Sequence, residues 1–175
     1  ERIGQGRPDL FKKELQSILR LILWLALPVS AIAFFGRGYL ISFIKNGGDA
    51  IMSNLLGILA IAILFRTIYH IAARSFYARQ DTKTPLYISL FVVGLNILLA
   101  IYLALSVKMG VYGIAWAASI AAFLEVVILF IIMSKQIPGL FDKSFWQSVV
   151  KMISATGFMS IVAYFSVLAF PLTID

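Results

Sequence analysis

The sequence predicts an all-α fold, a polytopic transmembrane helix bundle of about five spans. Three observations carry this expectation. Of 175 residues, 61% are hydrophobic and the mean hydropathy is +0.95, whereas a typical soluble domain is about 45–50% apolar. The apolar residues are gathered into stretches long enough to cross about 30 Å of hydrocarbon, which takes about 20 residues of helix. The net charge of +7 sits mostly in the polar segments between those stretches. In a soluble protein such a balance would point to nucleic acid; here membrane topology accounts for it, and no nucleic-acid partner is expected. There is no cysteine, which removes disulfide, thiolate and Cys-ligated metal chemistry.

The polar segment 1–14 reads as a loop. A first span follows over Leu15–Phe35, with Pro28 inside it; a bundle tolerates such a proline because neighbouring helices satisfy the freed carbonyl. Residues Gly36–Ala50 are expected to be short and irregular. The second span covers Ile51–Ala78. The third covers Pro85–Val107, with Thr84 as N-cap and Pro85 in the first turn. The fourth covers Val111–Met133, so that 15–133 forms one four-helix unit. A loop over 134–144 leads to an additional helix within 145–175, where Trp146 suits the headgroup level. A small-residue face on the fourth span, Gly110, Gly113, Ala117 and Ala121, predicts close helix packing. The opening on Glu1 and the end of the last span near Asp175 lead us to expect a piece of a longer protein.

Counting Lys and Arg sets the orientation. Of the 15 cationic residues, eleven fall on or beside the face formed by the N-terminal segment, the Arg79–Pro85 turn and the Lys143 loop. Three, Arg37, Lys45 and Lys108, fall on the other. The first face is therefore expected to be cytoplasmic and Asp175 outside.

Arg66 belongs to neither count. It lies about thirteen residues from Arg79, or about 20 Å along a helix. Arginine at that depth costs about 2.5–3.5 kcal/mol on insertion scales, and the usual reason for keeping it is a hydrated cavity or a partner. His70 and Arg74 follow at four-residue spacing and share its helix face. A cationic stripe of this kind suits a phosphate or pyrophosphate group, which an Arg fork matches in geometry. The alternatives are that Arg74 snorkels to the interface, that His70 is a hydrogen-bonded packing residue, and that Arg66 forms a structural ion pair. Glu125, mid-way along the fourth span, is its natural partner; a cation or proton site is the other reading of that carboxylate. In the turn, Asp81, Thr82 and Thr84 are placed to cap the next helix, and Asp81 to pair with Arg79 or Lys83. No nucleophile–base pair and no metal-ligand spacing is visible. Neither an enzyme, a metal site nor a cofactor is expected.

The stretch RSFYARQDTKTP, with Arg74, Phe76, Tyr77, Ala78, Asp81, Thr82, Lys83, Thr84 and Pro85, resembles the MurJ (MviN) family of lipid II flippases. That family belongs to the superfamily of multidrug, oligosaccharidyl-lipid and polysaccharide exporters. Gly110, Gly113, Ala115, Ala117 and Ser119 resemble a second family segment, and Pro28 and Gly38 a third. The resemblance runs from about Arg7 to Met133. It implies a two-lobed flippase fold around a cationic cavity, of which this chain would be most of the second lobe, with the first lobe as a missing partner. It implies flipping of a lipid-linked anionic substrate, a polyprenyl pyrophosphate glycopeptide, across the bacterial cytoplasmic membrane by alternating access. Glu125 departs from the family pattern, which has an uncharged residue there. Other readings are a polysaccharide-unit flippase, a drug exporter with Glu125 facing cationic cargo, and a scaffold subunit without cargo.

Overall fold

A computed structural model describes residues 8–44, 49–137 and 140–169. Expectations placed on Arg2, Arg7, Lys45 and Asp175 lie outside the described residues. Among the described residues six helices follow in order: α1 Pro8–Phe35, α2 Arg37–Ile44, α3 Ala50–Ala78, α4 Lys83–Ile101, α5 Val111–Gln136 and α6 Lys143–Ala169. All but α2 are long and apolar enough to cross a membrane.

The five expected spans are present, with revised ends. α1 starts at Pro8 rather than Leu15, a residue suited to the first helical turn. α5 runs to Gln136 and α6 begins at Lys143, which shortens the expected 134–144 loop. The segment expected to be irregular contains α2. After Gly36 its apolar residues recur at helical spacing, and the Leu40 N–H donates to the Gly36 carbonyl at 3.0 Å, resuming the ladder. α4 ends at Ile101 and passes into a π-helical turn, Tyr102–Ser106. There the Val107 N–H reaches back five residues to Tyr102, while Met109 and Gly110 donate to Leu103 and Ala104.

Neighbours in space are not always neighbours in sequence. The helices lie side by side in the order α6, α1, α3, α5, α4. A four-residue turn joins α3 to α4, yet α5 packs between them. That insertion makes α5 the most buried helix. In its first half the buried residues are all small: Gly113, Ala115, Ala117, Ser119, Ala121 and Ala122. Small residues let backbones approach where lipid supplies no hydrophobic drive between helices, so the contact rests on dispersion and hydrogen bonds. Ser119 Oγ donates to the Ile58 carbonyl of α3 at 2.9 Å, and Phe65 meets Phe123 edge-on at 5.1 Å. Gly110, expected on this face, is instead the exposed N-cap residue at φ +55°.

The two ends of the bundle differ. At the end bearing the α3–α4 turn, larger side chains form the core: Leu15 and Leu19 of α1, Phe76 of α3, Leu129 and Met133 of α5, and Leu140 and Phe145 beyond it. α6 and the segment before it are tied to α1 there, by Gln16 donating to the Leu140 carbonyl, by Arg20 donating to Ser144 at 3.2 Å, and by Arg20 over the Phe145 ring. At the opposite end, which carries α2, small residues leave grooves.

Candidate functional site

The turn motif is a structural joint. Phe76 is buried, and its carbonyl accepts from the N–H groups of both Arg79 and Asp81. Gln80 takes the left-handed conformation, φ 62°, that reverses the chain. Thr84 is not the N-cap. The helix starts at Lys83, and Thr82, the N-cap, makes no side-chain capping bond. The Asp81 carboxylate caps instead, accepting from the Thr84 N–H at 3.0 Å and from Thr84 Oγ1 at 2.7 Å. The expected Asp81 pairing with Lys83 gives way to these bonds, because a backbone N–H at a free helix end has no other acceptor. Arg79 reaches across to Gln136 Oε1 at 2.8 Å. Pro85 is buried inside the first turn of α4, while Thr82, Tyr77 and Ala78 are exposed. Ser75, inside the same stretch, is buried and donates to the Ala72 carbonyl at 2.6 Å.

The Thr84 bonds hold the Asp81 carboxyl below the usual carboxylate value, with a smaller pull from Arg79. A depressed folded-state pKa gives stability that is present at neutral pH and lost as pH falls through it. Asp81→Ala in the full-length protein is therefore expected to cost about 1 kcal/mol at pH 7. That cost should shrink once the pH drops below about 4. Thermal unfolding of both proteins in detergent across that range checks it; a gap that persists unchanged at the acid end would remove the charge from the account.

The intramembrane charges are placed as follows. Arg66, His70 and Arg74 are all exposed along one face of α3. Arg66 meets no acceptor among the described residues. The His70 ring lies edge-on to Tyr69 at 5.6 Å. Arg74 borders a pocket of about 270 Å³ with Glu14, Ile18 and Ile71. Glu125 is elsewhere: it is 4% exposed, turned in among α3, α4 and α5. The expected Arg66–Glu125 ion pair does not form. The Glu125 carboxylate accepts from Ser89 Oγ of α4 at 2.8 Å, and the Ser89 hydroxyl in turn meets the Tyr69 hydroxyl of α3. The chain Tyr69–Ser89–Glu125 ties three helices together and satisfies a buried polar group, as a low-dielectric interior demands. No local pattern points to Ser89 or Tyr69, because their pairing depends on α5 inserting beside both helices.

The face of α3 that stays open therefore carries the three cationic-type residues, with Leu59 and Ile63 further along it. The open faces of α1 and α4 are apolar: Leu21, Leu25 and Val29 on α1, and Leu90, Phe91, Ile97 and Leu98 on α4 are all exposed. Apolar open faces suit lipid; an open face with two arginines and a histidine does not.

Five long apolar helices packed through small residues, with buried polar ties and an exposed cationic stripe, define a polytopic α-helical membrane protein. The chain belongs to the lipid II flippase MurJ family, whose model matches residues 3–172. It is also similar to a probable lipid II flippase MurJ of Chlamydia pneumoniae, at 33% identity over 82 residues. That alignment covers 47% of this chain and 15% of the relative, so the chain aligns with a small part of that protein's length. No solved structure matches the chain.

Proposed function

We propose that this chain forms one side of the translocation cavity of a flippase for a lipid-linked peptidoglycan precursor, with Arg66, His70 and Arg74 facing the anionic headgroup. Membership of the family supports the activity. The observation that carries the site is the contrast between the open faces: cationic on α3 and apolar on α1 and α4. A first lobe covering the α3 face would enclose that stripe in a hydrated cleft, where a guanidinium fork binds phosphate oxygens in pairs. Transport would follow by rocking of the two lobes about the cleft, with the polyprenyl chain staying in lipid. The positive-inside bias supports a cytoplasmic Arg79–Pro85 turn in a bacterial cytoplasmic membrane. The drug-exporter reading loses its main support, because Glu125 is turned away from the open face and held by Ser89.

The absence of cysteine in this chain makes single-cysteine labelling a direct test. In a full-length background without other cysteines, Arg66→Cys and His70→Cys are expected to react with a water-soluble maleimide. Leu98→Cys, on the open face of α4, should stay unlabelled. If neither α3 position reacts, there is no hydrated cleft and the proposed site is wrong.

A further inference from the structure

At the α2 end, α1 and α5 flank α3 without closing over it, and a pocket of about 430 Å³ opens between them. Its rim holds Arg37 of α2, Asn54 of α3, and Tyr112 and Trp116 of α5. Phe34 and Ile61 form its inner wall and also line a second space of about 230 Å³, between α1, α3 and α6 among Leu27, Ala31 and Leu64. The site is thus polar and aromatic outside and apolar further in. Asn54 lies four residues into α3, about 6 Å from its start, and Ile61 about 16 Å from it.

Arg37 is the telling residue. An arginine on a short helix at the membrane edge has open water available, yet this one folds inward. Its Nη1 donates to the Phe34 carbonyl at 2.8 Å, and its guanidinium carbon sits 5.0 Å over the centre of the Phe34 ring. Its stem crosses Gly57, where an added Cβ would lie 2.8 Å from Arg37 Cδ. A glycine slot, a carbonyl and an aromatic face therefore fix the side chain. A guanidinium carries five N–H donors, and only Nη1 is engaged among the described residues. An interfacial aromatic belt would account for Tyr112 and Trp116, but it gives no reason for an arginine held at the mouth of an apolar groove.

We infer that this groove binds a phosphate-headed membrane lipid from the leaflet at the α2 end. Its phosphate is held by Arg37 with Asn54, and one hydrocarbon chain lies along Phe34 and Ile61. Charge complementarity selects the head, since basic groups beside transmembrane helices recognise anionic lipids; the apolar inner wall of Phe34, Ile58 and Ile61 selects a lipid over a soluble anion. The groove stands apart from the proposed cavity. At 100° per residue, Gly57 and Ile61 point about 180° and about 140° away from Arg66 around α3. A transport result at Arg66 therefore leaves this site untouched.

The test reconstitutes the full-length protein in nanodiscs of mixed phosphatidylglycerol and phosphatidylcholine and counts retained lipid by native mass spectrometry. The unaltered protein is expected to retain phosphatidylglycerol in preference. Arg37→Gln is expected to lower that occupancy about tenfold, the effect of one lost charge-assisted bond. Asn54→Leu, at an exposed position that suits lipid, should also reduce it and decides the matter if Arg37→Gln does not fold. Unchanged retention in the variants that fold, or equal retention of phosphatidylcholine, overturns the proposal. So does displacement of the lipid by millimolar inorganic phosphate, which would mean a soluble-anion site, or retention of a polyprenyl phosphate in place of the diacyl lipid.

Discussion

Arg66→Ala in the full-length protein is expected to lower headgroup translocation by about 10- to 100-fold. The magnitude follows from losing a charge-assisted hydrogen bond to phosphate, about 1.5–3 kcal/mol. The folded protein should not suffer. Arg66 is exposed and meets no acceptor among the described residues, so its removal leaves no orphaned partner. Taking a guanidinium out of mid-membrane removes an insertion cost of about 2.5–3.5 kcal/mol. The variant is thus expected to insert as well as or better than the parent while transporting far less. Arg66→Lys should fall between, since an ammonium keeps the charge but loses the planar fork. Translocation in reconstituted vesicles, alongside thermal stability in detergent, checks both halves. Transport at the parental rate would take Arg66 out of the site; a loss of transport together with a loss of stability would make it a packing residue.

Gly113→Leu is expected to have the largest structural effect. A Cβ at this position would lie 2.7 Å from both the Leu103 carbonyl carbon and the Ala104 nitrogen. Both are main-chain atoms, at the π-helical turn that ends α4, so no side chain can swing aside. Even Gly113→Ala should cost about 1–3 kcal/mol, the usual range for overpacking, and leucine more. Because α5 sits between α3 and α4, prying α4 away would also pull Ser89 from Glu125 and leave that carboxylate buried without a partner. The control is Gly94→Ala, where an added Cβ meets nothing within 4 Å and helix propensity favours the change. Unfolding temperature in detergent and the yield of folded protein are the measurements. A Gly113→Leu protein that melts with the parent would show that the α4–α5 contact does not hold the bundle.

The spans were legible because hydrocarbon thickness and helix rise fix the length of an apolar run, whatever it packs against. α2 was not, because eight residues fall short of a span and a flanking glycine pair reads as a loop. The capping role of Asp81 is legible in the turn, whereas Thr84 and Pro85, a proper start signal by type, lie inside the first turn, because the helix starts at Lys83 and the upstream carboxylate takes the Thr84 N–H. Arg66, His70 and Arg74 share a face because four-residue spacing dictates it. Whether that face would be open or covered depended on which helices pack against α3. The same dependence decided Glu125, read as the partner of Arg66 from equal depth alone. By sequence Arg37 is an outer-loop cation, and nothing in its own neighbourhood of sequence announces that Gly57 receives its side chain.

Local and one-dimensional quantities were thus determined by the chain itself. These are the number of spans, their lengths, the cationic stripe on α3 and the family motif at the turn, since each depends on residues within a few turns of one another. Partnership was decided only in three dimensions. Placing α5 between α3 and α4 chose Ser89 over Arg66 for the Glu125 carboxylate, left the arginine face open and drew the groove beneath Arg37. Depth in a membrane is written along one helix, but contact depends on the rotation and order of several, and those are settled by small residues meeting across interfaces that no single segment contains.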